Sequence, residues 1–289
     1  MRPKNLSQLE PEEVGRISTT FDEMDWAYGK PGEWGMPKAR ISLWSGEAGV
    51  GKSRLLAQMM TRLADMYRLK SLIVQGEVSA GQFAAEKFKG HKSELIYISE
   101  ETDLETIVQG IIDVKPALVF IDSVQMIRME KAAARAANMK PVEYVVESLR
   151  AALEVTGAHL VLISQLNKAG TTKGSTDLPH LVDIECFLKK YAPSFTRGAL
   201  FEFAIHKNRY GKSGKEVIFG HQDWGVECQS DNRLKDDDWF DDSNGLSPEA
   251  EEASTIVSEA PRVIHENVER AKRAKRRKGI LAWLLGSNV

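Results

Sequence analysis

The sequence has few cysteines, no long apolar run and little net charge, and each of these absences excludes a class of protein. Cys186 and Cys228 are the only cysteines among 289 residues, and neither has a CxxC or CxxH partner nearby. A disulfide framework or a zinc module is therefore not predicted. The first fifteen residues lack the apolar core of a signal peptide, and the longest apolar stretch near the C-terminus is only six residues, 280–285. We expect a soluble, cytoplasmic protein that does not enter a membrane.

The net charge of −2 conceals an uneven distribution of charge at the C-terminal end. Residues 230–262 carry ten acidic and three basic side chains, whereas residues 263–289 carry two acidic and seven basic ones. The rest of the chain is neutral, so any contact with nucleic acid there must come from local basic clusters. The basic run 270–278 is open to three interpretations: a DNA-binding arm, an amphipathic helix that docks on a partner, or a solvated charged end.

Apolar patterning divides the chain into one large domain with short appendages. Continuously apolar, β-branched runs alternate with helical segments, which is typical of a buried and mostly parallel sheet. The runs lie at 41–45, 71–75, 94–98, 117–121 and 159–164, and helices are predicted at 16–29, 52–67, 79–89, 102–113 and 141–156. Three further runs, at 182–188, 199–205 and 216–220, lack long intervening helices and are predicted to add antiparallel strands at one sheet edge.

The predicted organisation is an N-terminal arm over residues 1–15 and an α/β domain over 16–229. An acidic linker over 230–262 has too little apolar surface to offset its ordering entropy and is predicted to be disordered. A basic tail over 263–289 is predicted to be helical beyond Pro261. A protein partner could bind the tail or the acidic segment 236–242, which contains Trp239 and Phe240.

Residues 46–53, GEAGVGKS, fit the phosphate-binding loop (P-loop) pattern, with an apolar strand before them and a helical segment after them. Glycine at three positions lets backbone N–H groups curl around a phosphate, and the N-terminus of the following helix favours the anion. Lys52 would reach the β- and γ-phosphates of ATP, and the Ser53 hydroxyl would coordinate Mg²⁺. The alternative is a structural glycine-rich turn. The predicted ATP-binding residues are Gly46, Glu47, Ala48, Gly49, Val50, Gly51, Lys52, Ser53 and Arg54.

Three polar residues follow apolar strands and are predicted near the P-loop. Asp122 ends the run ALVFID, where a carboxylate could hold Mg²⁺ beside the phosphates, although it could also cap a helix. Glu77 follows SLIVQ at the sheet edge beside the P-loop, where it could orient or deprotonate the attacking water. Its alternative role is a glutamate that the dipole of the next helix favours. Gln165 ends the fifth strand and could sense the γ-phosphate or be merely structural.

The order of these motifs resembles the ATPase core of the bacterial RadA (Sms) DNA-repair family, over about residues 16–229. The most specific element is KNRYG at 207–211, which is similar to the KNRFG motif of that family; GEVSAGQ and ETDLETI add support. The family's four-cysteine zinc finger and Lon-protease-like domain have no counterpart in this sequence.

The resemblance implies a RecA-like P-loop NTPase fold: a mostly parallel central sheet flanked by helices, with antiparallel edge strands. It implies ATP and Mg²⁺ as cofactors, and a hexameric ring or filament that acts on single-stranded or branched DNA. Lys207 and Arg209 would then act across a subunit interface on the neighbour's γ-phosphate, or, alternatively, cap a strand and bind DNA phosphate.

In RecA-like rings the loops after the Asp122 strand and after the Gln165 strand face the central channel. Basic side chains there would follow the DNA backbone, although ordinary solvated charge is the alternative because neither loop contains an aromatic residue. The predicted DNA-binding residues are Arg128, Lys131, Arg135, Lys140, Lys168 and Lys173. We expect a DNA-stimulated ATPase that drives branch migration or strand exchange. The alternatives are a DnaB-type replicative helicase motor and a KaiC-like ATPase in which nucleotide controls signalling or assembly without DNA.

Overall fold

The computed structural model describes residues 13–165, 177–191 and 200–229. The helices are α1 (Asp22–Tyr28), α2 (Lys52–Tyr67), α3 (Ala80–Phe88), α4 (Leu104–Val114), α5 (Lys131–Ala136), α6 (Pro141–Thr156), α7 (Leu178–Leu181) and a 3-10 helix (Val124–Met126). The strands are β1 (Arg16–Ile17), β2 (Met36–Pro37), β3 (Ile41–Gly46), β4 (Ser71–Gln75), β5 (Ile96–Ser99), β6 (Leu118–Asp122), β7 (His159–Gln165), β8 (Ile184–Tyr191), β9 (Leu200–Asn208), β10 (Glu216–Gln222) and β11 (Gly225–Cys228).

Nine strands of the described residues form one mixed sheet, in the order β11-β10-β9-β8-β3-β7-β6-β4-β5. The six strands from β8 to β5 run parallel, and β9, β10 and β11 extend the sheet in antiparallel fashion. The predicted α/β fold with antiparallel edge strands is confirmed. The prediction that the run 182–188 is antiparallel was wrong in part, because β8 pairs in parallel with β3 and is antiparallel only to β9.

Successive side chains of the central strands enter two separate cores. Trp44, Phe120 and Ile163 pack on the face covered by α1 and α2, whereas Leu43 and Leu162 pack on the face covered by α4 and α6. All five side chains are fully buried. Strands that are buried on both faces are mostly apolar, which explains the largely apolar runs in the sequence, and the buried polar exceptions Ser42 and His159 bond each other.

The N-terminal segment departs from the helix predicted over 16–29. Arg16 and Ile17 pair with Pro37 and Met36 as a small antiparallel ribbon, and the helix begins only at Asp22. Between them, Thr20 has a positive φ of 70°, which a right-handed helix cannot contain. The ribbon joins residues about twenty positions apart, a contact that local patterning does not reveal.

The domain boundaries after residue 229 lie outside the described residues and stay predictions. In the described ranges, none of the helices has the length and apolar character needed to cross a membrane.

Candidate active site

The P-loop lies between the end of β3 and the first turn of α2, which begins at Lys52. Gly49 and Gly51 have φ values of 73° and 111°, so the loop turns through conformations that other residues rarely adopt. The Lys52 ammonium donates to the carbonyl oxygens of Gly46 (2.7 Å) and Glu47 (2.9 Å). Burial lowers the pKa of Lys52, and the carboxylates of Asp122, Glu47 and Glu77 oppose that shift. Lys52 is thus a buried cation whose present partners a phosphate could replace.

Ser53 and Asp122 come together where a Mg²⁺ ion would be needed. The Ser53 hydroxyl donates to Asp122 Oδ2 at 3.2 Å, so two hard oxygen ligands already converge. Burial, followed by the nearby Glu77 carboxylate, raises the pKa of Asp122 above its usual value. A cation would offset both effects. Mg²⁺ commonly binds through one or two protein oxygens together with water and substrate phosphates, and this pair fits that pattern.

Glu77 lies in the exposed turn after β4, two strands further from the P-loop strand than the sequence suggested. Strands β7 and β6 separate β4 from β3. The parallel register places Gln75 beside Asp122. The turn that carries Glu77 therefore lies at the carboxyl ends of the strands, as Asp122 does. The influence of Glu77 on the pKa values of both Lys52 and Asp122 shows that its carboxylate is electrostatically close to the phosphate site.

Gln165 ends β7 directly beside the P-loop, because its backbone pairs with Gly46. The preceding residue, Ser164, is fully buried and accepts a hydrogen bond from Gln125 Nε2 at 2.8 Å. Gln125 belongs to the 3-10 helix that follows Asp122. This side-chain bond therefore connects the segment after the Mg²⁺ position to the strand that ends at Gln165. Sequence reasoning missed Gln125, since nothing in its local pattern distinguishes it.

His221 on β10 supports the P-loop from the side. Its Nε2 lies 3.2 Å from the carbonyl oxygen of Val50, and its ring occupies the space where a Cβ on residue 51 would have to be. Arg54, one residue after Ser53, donates to the carbonyl oxygens of Gln222 and Asp223 just beyond His221. These contacts join positions about 170 residues apart, so no local sequence pattern indicates them.

Lys207 and Arg209 lie near the amino ends of the parallel strands, whereas the P-loop of the same chain lies at their carboxyl ends. Lys207 pairs with Glu185 near the start of β8, whereas Gly46 of the P-loop pairs further along, with Leu188. The Lys207 ammonium donates to the carbonyl oxygens of Pro179 (2.8 Å) and Val182 (2.7 Å). Arg209 lies 3.4 Å from Asp183 and its side chain is 52% exposed.

The predicted DNA-binding residues that are described all lie on the surface after β6. Arg128, Lys131, Arg135 and Lys140 are exposed. Arg128 pairs through its backbone with Asp103, and Lys140 forms an ion pair of 2.8 Å with Asp177. Lys168 and Lys173 lie outside the described residues. Arg128, Lys131 and Arg135 are thus exposed basic side chains on and just before α5, and we call them the basic surface, although Glu130 lies among them.

The fold and this site together define a P-loop NTPase with a RecA-like fold. The KaiC-like protein PH0186 of Pyrococcus horikoshii superposes with a TM-score of 0.58 at 18% identity, covering 75% of this chain and 100% of that one. No protein-family model matches the sequence.

RadA DNA repair proteins of Mycobacterium tuberculosis and Aquifex aeolicus are 31% and 32% identical to this chain over 225 and 223 residues. The RadA of Halalkalibacterium halodurans is 29% identical over 227 residues. These alignments cover 77–78% of this chain but only 45–48% of the relatives. The chain has a RecA-like core of the RadA type, and it spans less than half the length of these relatives.

Proposed function

We propose that this chain is a DNA-stimulated ATPase that acts in recombination or repair. The observation that supports it best is the convergence of Lys52, Ser53, Asp122 and the Glu77 turn at one sheet edge of a RadA-type core. A protein that only binds nucleotide needs the P-loop and the metal ligands. The additional carboxylate near the phosphate site is the group that a hydrolase requires.

In the proposed reaction, a water molecule attacks the γ-phosphate of ATP and ADP leaves. Lys52 exchanges its carbonyl partners for phosphate oxygens and stabilises the charge on the transferred group. Glu77 orients the water and takes up its proton. Mg²⁺, held by Ser53 and Asp122, would neutralise charge on the β- and γ-phosphates when bound. Gln165 senses the γ-phosphate and, with the Gln125–Ser164 bond, relays its presence to the 3-10 helix.

DNA binding is proposed for the basic surface that follows this 3-10 helix. Arg128, Lys131 and Arg135 are exposed there and would contact phosphates without reading sequence. Lys140 would have to leave its ion pair with Asp177 to bind DNA. Lys168 and Lys173 are proposed as DNA-binding residues from their positions in the sequence alone. The chain would act as an oligomer, with Lys207 and Arg209 facing the neighbouring subunit.

The test is phosphate release from Mg·ATP with and without single-stranded or branched DNA. We expect stimulation by DNA that weakens as salt increases, and Lys52→Ala should abolish turnover in both conditions. Hydrolysis that DNA leaves unchanged would favour the KaiC-like alternative. Stimulation accompanied by unwinding of a forked duplex with a single polarity would favour the DnaB-type motor. Near-normal turnover of Lys52→Ala would refute the P-loop assignment.

A further inference from the structure

The turn between β10 and β11, residues 222–225, carries an exposed tryptophan beside the P-loop helix. Trp224 is 62% exposed, although most large apolar side chains of this domain are buried. A single exposed aromatic residue is common on protein surfaces and indicates little by itself. Its surroundings make this one different.

Polar side chains of α2 and the segment after α3 fix the backbone of the turn. The Arg54 guanidinium donates to two carbonyl oxygens of the turn, and the Lys89 ammonium donates to one of them at 2.8 Å. Gln58 bonds the backbone of Val226 in both directions, at 2.9 and 2.6 Å. Trp224 therefore projects from a rigid backbone, and only its two side-chain torsions remain to be ordered on binding.

A cleft with a volume of about 430 Å³ lies between this turn, α2 and the end of α3. Its lining includes Trp224, Ala57 and Phe88 together with hydrogen-bonding and charged residues such as Arg54, Gln58, Thr61, Glu86 and His91. The volume lies within the range of small-molecule sites, which combine an apolar surface with a few polar groups. Arg54 directly follows Ser53, so the cleft begins one residue beyond the P-loop.

We propose that this cleft binds the base and ribose of the nucleotide, with the Trp224 indole as the stacking surface for the base. The inference rests on the proposed ATP-binding function. Arg54 lies in the first turn of α2 and lines the cleft, so a ligand whose phosphates occupied the P-loop would extend into the cleft from there. A base is flat and has polar edges, so it can stack on a fixed aromatic ring while its edges contact Gln58, Thr61 or Glu86. None of these residues belongs to the phosphate-binding pattern.

The test compares binding of Mg·ATP with binding of Mg·tripolyphosphate, which has phosphates but no base, by calorimetry. Trp224→Ala should weaken ATP binding about 5- to 100-fold, the range of aromatic–base stacking, while the tripolyphosphate affinity changes less than about twofold. Trp224→Phe keeps an aromatic face and should retain most of the affinity. Trp34→Ala, which removes another exposed tryptophan at 39% exposure, should change neither affinity.

Unchanged ATP affinity in Trp224→Ala would overturn the inference. Equal weakening of ATP and tripolyphosphate would overturn it as well, because the turn would then support the P-loop rather than the base. Loss of affinity only for a single-stranded oligonucleotide would make Trp224 a DNA-stacking residue instead. Wild-type protein that binds neither ATP nor tripolyphosphate would refute the P-loop assignment itself, a result distinct from the other three.

Discussion

In the proposed reaction, Glu77 is the residue that would separate hydrolysis from mere nucleotide binding. Glu77→Gln keeps the size and polarity of the side chain but removes its ability to accept a proton. We expect kcat for ATP hydrolysis to fall about 10²- to 10⁴-fold, the usual contribution of a positioned base. The affinity for ATP should stay within a few fold, because the P-loop is untouched.

Glu94→Gln is the matched control, since it makes the same change at an exposed glutamate just before β5 and should leave turnover intact. Steady-state kinetics with a separate binding titration distinguishes the two effects. A normal kcat in Glu77→Gln would make Glu77 a structural residue of the turn between β4 and α3.

Gly51 combines two constraints that can be separated by mutation. Its φ of 111° disfavours any side chain, and a Cβ there would lie 2.8 Å from His221 Nε2. Gly49 has a φ of 73° with open space around it, so Gly49→Ala introduces backbone strain without overlap. Gly51→Ala should therefore lower the free energy of unfolding by more than the roughly 1–3 kcal/mol expected from strain alone.

Adding His221→Ala to Gly51→Ala should restore the part of that stability that the overlap removed. Denaturant unfolding of the single and double variants measures this directly. Two results together would contradict this prediction. Gly49→Ala and Gly51→Ala would lower the free energy of unfolding equally, and His221→Ala would restore none of it, so the His221 ring would not restrict the P-loop.

At the scale of the elements, the segments that the sequence predicted well are those whose structure is determined locally. Helix α2 and the 52–67 segment coincide, and β7 differs from the 159–164 run by one residue, because uninterrupted burial leaves a continuous apolar signature. The ribbon of β1 with β2 and the parallel pairing of β8 depend on partners distant in sequence. The same holds at the site: the P-loop motif is local, whereas the contacts of His221 and the Trp224 turn are not.

The 3-10 helix after Asp122 is the element that could connect the nucleotide with the basic surface. Gln125→Ala removes its bond to Ser164, and we expect basal ATPase activity to stay within about threefold of wild type. The stimulation by DNA should fall more strongly, because the signal from Gln165 would no longer reach Arg128. Gln109→Ala, on the exposed face of α4, is the control. Equal reduction of basal and stimulated rates would instead indicate a general effect on the site.

For the molecule as a whole, two buried titratable groups give opposite pH dependences of stability. His159 is fully buried and has a pKa lowered to about 4, because burial disfavours its charged form. The unfolded state binds its proton near pH 6.5, so this residue destabilises the fold as the pH falls from 6.5 to 4. Burial raises the pKa of Asp25 to about 6, so acidification in the same range stabilises the fold. The two contributions largely offset each other in the wild type.

His159→Asn should reveal this compensation. The variant loses some stability at pH 7, where His159 bonds Pro37 and Ser42, but the loss should shrink by about 3 kcal/mol at pH 4. Denaturant unfolding at pH 7, 5.5 and 4 measures the difference between variant and wild type. A difference that is constant with pH would mean that His159 does not titrate between pH 6.5 and 4.

In the proposed oligomer Lys207 and Arg209 would act on the neighbouring subunit, and the contacts of the two side chains differ. Asp183 is buried, yet it would keep Arg150 at 2.9 Å and the backbone N–H of Ile41 at 3.0 Å if Arg209 moved away. Arg209 can therefore leave its own subunit without stranding a buried charge. Lys207 is bound to two carbonyl oxygens and half-buried, so Lys207→Ala should destabilise the fold, whereas Arg209→Ala should not.

An arginine that reaches the neighbour's γ-phosphate in trans is worth about 10³- to 10⁵-fold in rate, because it neutralises charge that develops in the transition state. We expect Arg209→Ala to fold with wild-type stability and to lose nearly all ATPase activity. Lys52→Ala should be equally inactive for a different reason, the loss of a group that acts within its own subunit. A mixture of the two variants forms some interfaces in which an intact P-loop faces an intact Arg209, so activity should partly return. If co-assembly is demonstrated and the mixture is no more active than its components, Arg209 does not act in trans.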